Sequence, residues 1–224
     1  GVGDRSPSVK KILISGWATG NGIWSEVSRE LRDTETVSWN TVLTGDFSIT
    51  EPCIVVGWSL GGQMAMDLSM GEEVMGLVLV SSMTSLNDRG VKPGLEPEMC
   101  SMISKMLHRS RRAYLTSFFK ECGASPEMVP ELLDNSDRFA MEELIAGLSV
   151  MFNHMAVPRD GVPAVLIHGT DDRIVPWETA VELSDSILTN SRLITVENGQ
   201  HILPVTHGDL IAKAVMDLEG SLNL

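Results

Sequence analysis

The sequence predicts an α/β fold: a mostly parallel central sheet of about six strands, with helices on both faces and a helical cap. Two observations support this prediction. Short runs rich in β-branched residues alternate with segments of helical spacing, which is the order expected of a parallel sheet covered on both sides. One long stretch without a good strand interrupts this alternation. We therefore expect a core formed by residues 1–82 and 158–224, with residues 83–157 inserted as the cap.

The elements can be placed in chain order. Strands are expected at residues 10–16, 36–42, 53–56, 74–80, 164–168 and 192–196. Helices are expected at residues 23–31, 62–70, 174–187 and 207–218. In the inserted stretch the helical patterns are broken at Pro93, Pro97, Pro126 and Pro130, and residues 132–150 are expected to form a further helix. Because ligands bind at the carboxyl edge of open α/β sheets, we expect the insertion to cover that edge.

One segment between a strand and a helix suggests an exposed serine. The apolar run 53–56 leads directly into Gly57-Trp58-Ser59-Leu60-Gly61, and the residues after Gly62 have a helical composition. A strand, G-x-S-x-G and a helix in succession form the strained turn known as the nucleophile elbow. Glycine at positions 57 and 61 lets the strand and the helix approach closely. The alternative is an ordinary serine in a glycine-rich turn.

A nucleophilic serine needs a base and an acid that orients the base. Asp171 and Asp172 both follow the strand at 164–168, and we prefer Asp172 because its spacing to Pro176 places it where the loop turns. Asp171 is the second choice, and a turn-forming pair is the non-catalytic interpretation. His201 follows the last strand and precedes the last helix, which is the position required of the base. The other histidines, at positions 108, 154, 168 and 207, are expected to be structural or at the surface.

Two backbone N–H groups are candidates for an oxyanion hole. The N–H of Leu60 directly follows the serine, and the turn after the first strand offers the N–H of Trp17. Alternatively, Trp17 is only a packing aromatic beside Trp58.

The charge, the apolar runs and the cysteines of the chain argue against several classes of protein. The formal net charge of −13 over 224 residues argues against general nucleic-acid binding. No apolar run reaches the length of a membrane span, and we expect no signal peptide because residues 1–8 lack an apolar h-region. Three widely spaced cysteines, at positions 53, 100 and 122, fit neither a disulfide framework nor a metal site. We expect a cytoplasmic protein with no metal or cofactor.

The quoted motifs resemble the α/β-hydrolase superfamily over essentially the whole chain. Within it, the chain is most similar to the family of pimeloyl-acyl-carrier-protein methyl ester carboxylesterases of biotin synthesis. The matching residues are Gly16-Trp17, the segment 57–62, the spaced set Gly169, Asp172, Val175 and Pro176, and Gly147-Leu148. The resemblance implies a serine esterase with the triad Ser59, Asp172 and His201. It suggests acyl-carrier protein as the partner that carries the substrate.

The sequence departs from the family in three places. Ser15 stands where the family usually has histidine, which puts support of the oxyanion loop in doubt. We expect no opening hairpin of the kind common in the family, and residues 45–52 are too few for the helix that normally precedes the elbow strand. These departures leave a trimmed sheet of about six strands.

The insertion contains a basic stretch in an otherwise acidic protein. Between positions 105 and 120 there are five basic residues and no acidic one. At 100° per residue, Lys105, His108, Arg109 and Arg112 share one helix face, opposite an apolar face. This pattern is either a solvated face or a docking patch for an acidic partner such as acyl-carrier protein. Methionines at 99, 102, 106, 151 and 155 are expected in the core or along an acyl channel.

Three alternatives to a carboxylesterase remain open. A thioesterase and a hydrolase of carbon–carbon bonds would use the same three residues. A non-catalytic ligand-binding protein would keep the fold without the reaction. The acyl chain length, the alcohol and the oligomeric state do not follow from the sequence.

Overall fold

The computed structural model describes residues 8–87 and 97–222. Its six strands are β1 (Lys10–Ile14), β2 (Thr34–Val37), β3 (Cys53–Trp58), β4 (Val74–Val80), β5 (Ala164–Gly169) and β6 (Ser191–Val196). They form one sheet in the order β2-β1-β3-β4-β5-β6, and every neighbouring pair is parallel. The predicted parallel sheet of about six strands is therefore confirmed.

Ten α-helices accompany the sheet in the described parts of the chain. They are α1 (Ser25–Glu30), α2 (Trp39–Leu43), α3 (Leu60–Leu68), α4 (Pro97–Arg109), α5 (Arg111–Glu121), α6 (Val129–Ser136), α7 (Met141–Asn153), α8 (Trp177–Glu182), α9 (Leu203–Thr206) and α10 (Gly208–Ser221). Helix α3 packs on β1, β3 and β4, while α10 packs on β3, β4 and β5 and against α1. None of these helices is long and apolar enough to cross a membrane.

The strand predicted at residues 36–42 is wrong beyond Val37. Strand β2 ends at Val37, and the chain turns at Ser38 into α2. The β-branched residues of this segment suggested a strand, but Trp39 is fully buried and its ring packs against Phe139 at 5.0 Å. Burial of this aromatic side chain outweighs local strand propensity.

Of the last two predicted helices, one differs from the prediction and one is confirmed. The helix expected at 174–187 begins only at Trp177, after Pro176, and continues as a π-helical turn over Leu183–Ile187. The helix expected at 207–218 is confirmed as α10, which begins at Gly208 and follows the short helix α9.

Helices α4 to α7 lie in sequence between β4 and β5, and we call these four helices the cap. Helix α4 packs against α5 and α7, and α5 packs against α6. Among the predicted helix breakers, Pro93 lies outside the described residues. The division of the chain at residues 83 and 157 stays a prediction.

The basic stretch does not form one helix face, so that prediction is wrong. Ser110 adopts an extended conformation, with φ −162° and ψ 93°, and separates α4 from α5. Lys105 and Arg109 therefore lie on α4, whereas Arg112 lies on α5 and pairs with Asp137 at 2.5 Å. Lys105 and Arg109 remain exposed and have no ion pair among the described residues.

Candidate active site

Ser59 occupies a strained turn between β3 and α3. Its φ of 53° and ψ of −117° lie outside the regions that non-glycine residues prefer. A Cβ at Gly57 would collide with the Gly61 carbonyl, and a Cβ at Gly61 would collide with the carbonyl of Ile14. The two glycines are therefore required by backbone packing. The turn places Ser59 at the carboxyl end of β3, in contact with a cavity.

His201 and Asp172 form a buried hydrogen-bonded pair. His201 Nδ1 lies 2.7 Å from Asp172 Oδ2, and both side chains are almost fully buried. The other carboxyl oxygen of Asp172 accepts the backbone N–H groups of Ile174 and Val175, each at 2.8 Å. Asp171 is exposed and makes no such contact with His201 in the described structure. A carboxylate held against Nδ1 leaves Nε2 as the nitrogen that can accept a proton.

The surroundings of Asp172 favour its ionised form. Burial alone would raise the pKa of this carboxyl, but the charge of His201 and its hydrogen bond outweigh burial, and the pKa is lowered. Asp172 is therefore a carboxylate at neutral pH.

The backbone carbonyl of His201 is held by two side chains from the core. Trp58 Nε1 donates to it at 2.8 Å, and Ser81 Oγ donates to it at 3.0 Å. Trp58 and His201 also pack with their rings 5.4 Å apart. Trp58 occupies the first x position of the G-x-S-x-G motif, directly before Ser59. The last residue of strand β3 therefore helps to position the loop that carries His201.

Ser59 and His201 line the same cavity, but the described structure contains no hydrogen bond between Ser59 Oγ and His201. The structure thus joins two of the three predicted residues and places the third beside them. Hydrogen bonds between a catalytic nucleophile and its base often tighten only when substrate binds.

The two predicted oxyanion donors are available. Leu60 is the first residue of α3, and neither its N–H nor that of Trp17 donates to a protein group within the described ranges. Ser15 Oγ accepts the backbone N–H of Trp39 and donates to the Thr19 carbonyl, both at 3.3 Å. Ser15 therefore anchors the loop that contains Trp17 by two hydrogen bonds. It does so at the position where the esterase family that the sequence resembles usually has histidine.

His168 is a second buried histidine that the sequence did not connect with the site. Its Nε2 lies 2.8 Å from the Val175 carbonyl and 3.4 Å from Asp172 Oδ2. Burial lowers its pKa, opposed by the negative charge of Asp172. Its position four residues before Asp172, at the end of β5, was the available signal.

The cavity above Ser59 has a volume of about 400 Å³. Its core side carries Trp17, Trp58, Ser59, Arg173, Ile174 and His201, and its other side carries Leu86 with Met99, Ile103, Tyr114, Phe118, Glu121, Leu148, Met151 and Phe152 of the cap. Most of these side chains are apolar or aromatic, which suits an apolar substrate group. Of the five methionines considered above, Met99 and Met151 line the cavity, and Met102, Met106 and Met155 are exposed.

Tyr114, on the cap side of the cavity, is an uncharged hydrogen-bond donor. Burial raises the pKa of the Tyr114 phenol to about 12, so it is neutral and can donate a hydrogen bond.

Within residues 8–87 and 97–222, no three His, Cys, Asp or Glu side chains come together as a metal site.

Comparison with known proteins adds independent information. A sequence profile described as "Alpha/beta hydrolase family" matches residues 12–214. A Synechocystis protein that carries the name of a non-heme chloroperoxidase is 28% identical over 174 residues, covering 70% of this chain and 63% of that relative. A pimeloyl-acyl-carrier-protein methyl ester esterase of Yersinia pseudotuberculosis is 21% identical over 236 residues, covering 92% and 91% of the two chains.

Solved structures show the same fold. An esterase from Exiguobacterium antarcticum superposes with a TM-score of 0.78 at 15% identity, covering 96% of this chain and 93% of its own. A hydrolase from Oleispira antarctica gives a TM-score of 0.79 at 13% identity, with coverage of 96% and 92%.

Proposed function

Because the chain belongs to the alpha/beta hydrolase family, we propose that it is a serine hydrolase that cleaves carboxylic esters through Ser59, His201 and Asp172. The observation that carries the proposal is the buried pair of His201 and Asp172, 2.7 Å apart, at a cavity that the strained Ser59 also lines. Esterases recur among the relatives and the structural neighbours, which supports the choice of ester over other acyl compounds.

The first half of the reaction forms an acyl-enzyme. Ser59 Oγ attacks the ester carbonyl carbon while His201 Nε2 takes the hydroxyl proton, and Asp172 stabilises the resulting imidazolium. The carbonyl oxygen becomes an oxyanion that accepts hydrogen bonds from the N–H groups of Leu60 and Trp17. The tetrahedral species then collapses, the bond to the alcohol oxygen breaks, and His201 gives that oxygen its proton.

The second half regenerates the enzyme. A water molecule transfers a proton to His201 Nε2 and attacks the acyl carbonyl, forming a second oxyanion in the same hole. Collapse releases the carboxylic acid, and the proton on His201 returns to Ser59 Oγ. The net reaction consumes one ester and one water and yields one acid and one alcohol.

The apolar walls of the cavity support an acyl group that is itself apolar, and a methyl ester carried on acyl-carrier protein is the finer proposal. It is supported by the relatives named for that substrate and by the exposed cations Lys105 and Arg109 on α4. Arg112, the third docking candidate, already pairs with Asp137, so we expect it to contribute less. The cytoplasmic location and a role in biotin synthesis belong to the same proposal.

Hydrolysis of p-nitrophenyl acetate, butyrate and hexanoate tests the proposal directly. We expect turnover of these esters, loss of at least about 10⁵-fold in kcat in Ser59→Ala, and labelling of Ser59 by a serine-directed phosphonate. Labelling at another residue, or full activity in Ser59→Ala, would contradict the assignment. Faster cleavage of matched thioesters or of a carbon–carbon bond would favour those reactions instead, and ligand binding without any turnover would favour a binding protein.

A further inference from the structure

The side chain of Gln63 makes a buried contact between helix α3, which follows the nucleophile, and the two chain segments that lead into and out of the cap. We propose that Gln63 is a positioning residue for substrate selectivity, which fixes the cap side of the cavity at a set distance from Ser59. This inference rests on the proposed ester hydrolysis and adds to it a residue that selects substrates by size.

Gln63 lies on α3, one helical turn after the nucleophile. Its backbone N–H donates to the Ser59 carbonyl at 3.1 Å, and the residue is fully buried. The position of its side chain is thereby tied to that of the elbow.

The side-chain amide of Gln63 faces three backbone carbonyls. Its Nε2 lies 2.9 Å from the carbonyl oxygen of Thr84, 3.1 Å from that of Val150 and 3.0 Å from that of His154. An amide nitrogen has two N–H donors, so the three acceptors share them. Exchange of the amide oxygen and nitrogen would set an acceptor against three acceptors, which fixes the orientation shown.

These three carbonyls belong to the neck of the cap, which we define as residues 84–87 and 150–157. The two segments of the neck also bond to each other: the Leu86 N–H donates to the Met151 carbonyl at 2.7 Å, and the Ala156 N–H donates to the Thr84 carbonyl at 3.0 Å. Gln63 therefore holds both segments of the neck at once.

The neck carries part of the cavity wall. Leu86, Met151 and Phe152 all line the cavity, and Met151 directly follows Val150, whose carbonyl accepts from Gln63. A shift of the neck away from α3 would therefore move these apolar side chains relative to Ser59. A displacement of these walls would remove apolar contacts with a long acyl chain and would leave the reacting groups around Ser59 in place.

A second tether from the same helix serves as a matched control. Asp67, one turn beyond Gln63, contacts His154 Nε2 at 2.6 Å and accepts the Val157 N–H at 3.0 Å. Both side chains of this pair are nearly half exposed, and neither Asp67, His154 nor Val157 lines the cavity. Loss of this tether should loosen the far end of the neck without moving the cavity wall.

The experiment compares Gln63→Met with Asp67→Ala on the three p-nitrophenyl esters. Methionine keeps the length and apolar volume of the side chain but removes its donors. We expect Gln63→Met to raise KM for the hexanoate about tenfold, because apolar binding contacts are lost, with KM for the acetate and kcat for both esters within about twofold. Asp67→Ala should lower the denaturation midpoint and leave the dependence of KM on chain length unchanged. Ser85→Ala removes the hydroxyl that contacts the Met151 and Phe152 carbonyls at 3.4 Å and should give a smaller change in the direction of Gln63→Met.

Binding gives a readout that does not need turnover. In the Ser59→Ala background, quenching of the intrinsic tryptophan fluorescence, to which Trp17 and Trp58 in the cavity wall contribute, measures the Kd of p-nitrophenyl hexanoate with and without Gln63→Met. We expect a Kd about tenfold weaker in the double variant. Equal losses for all three esters, or the same chain-length effect in Asp67→Ala, would overturn the inference. If Gln63→Met fails to fold, an unchanged chain-length dependence in Ser85→Ala overturns it. A wild type that hydrolyses no ester would refute the proposed function, whereas the Kd comparison would still decide the role of Gln63.

Discussion

The two sides of the cavity are positioned by different means. On the core side, backbone geometry places the reacting groups: Ser59 by its positive φ, and Asp172 by two backbone N–H donors. On the cap side, helices contribute apolar side chains, and the cap is joined to α3 through the side chains of Gln63 and Asp67. Groups held by the backbone can move little without disrupting the packing around them. Contacts made by single side chains can each be changed by one substitution without disturbing the backbone. The core side should therefore determine the chemistry, and the cap side the choice of substrate.

The largest effect is expected from the acid on the core side. Asp172→Asn keeps the shape of the side chain but no longer orients and stabilises His201, so kcat for p-nitrophenyl butyrate should fall about 10⁴-fold. Combined with Ser59→Ala, the change should add almost nothing, because the residues act as one unit. Asp171→Asn is the matched control and should stay within about twofold of the wild type. A larger loss in Asp171→Asn would mean that the wrong aspartate has been assigned.

Glycine-to-alanine substitutions on the two sides of the cavity measure how tightly each side is packed, through the loss in free energy of unfolding. A Cβ at Gly57 meets backbone atoms of the elbow, which cannot yield, so Gly57→Ala should destabilise the protein by about 3 kcal/mol or more. At Gly147 in α7 a Cβ would lie 2.6 Å from the Trp39 ring and 2.8 Å from the Trp17 ring. Ring movement and the better helix propensity of alanine should limit that loss to about 1–2 kcal/mol. Urea denaturation gives both values, and a larger loss at Gly147 would reverse the comparison.

Buried His168 makes stability depend on pH. Because burial lowers its pKa in the folded state, only the unfolded chain binds its proton as the pH falls below about 6.5, so stability decreases there. The lowered pKa of Asp172 adds stability above about pH 3.9 that is lost only at more acidic pH, so it does not change between pH 7 and 5. We expect the wild type to lose more stability than His168→Gln between pH 7 and 5, by at most about 1.4 kcal/mol per pH unit. Parallel curves for the two proteins in urea denaturation would contradict this explanation.

The smallest effect is expected on the outer surface of the cap. Replacing Lys105 and Arg109 by alanine should raise KM for a carrier-linked ester several-fold at low salt, and the difference should fade as salt screens the charges. KM for p-nitrophenyl butyrate should not change. Arg112→Ala, which removes a cation already paired with Asp137, is the control and should have the weaker effect. If the double replacement has no effect on the carrier-linked ester, the basic residues are a solvated surface.

Local patterns and chain order predicted much of the fold and the residues that meet at the cavity. The glycines around Ser59 follow from the close approach of β3 and α3, which any chain making this turn must satisfy. Asp172 and His201 follow strands β5 and β6, and parallel strands bring their carboxyl ends to one edge of the sheet. These inferences need only neighbouring residues and the order of elements. They predict where each residue lies in the fold. The catalytic role of each residue is tested by the substitutions described above.

The sequence alone determined the parallel sheet, the elbow at Ser59 and the order of the candidate residues, because each depends on periodicity and short spacings. Only the tertiary structure showed that Trp39 begins a helix, that Ser110 divides the basic stretch, and that Ser15 ties down the oxyanion loop through the Trp39 N–H. The contact between Gln63 and Val150 joins residues 87 positions apart. Such contacts depend on which buried groups face each other after folding, and no local pattern in the chain encodes them.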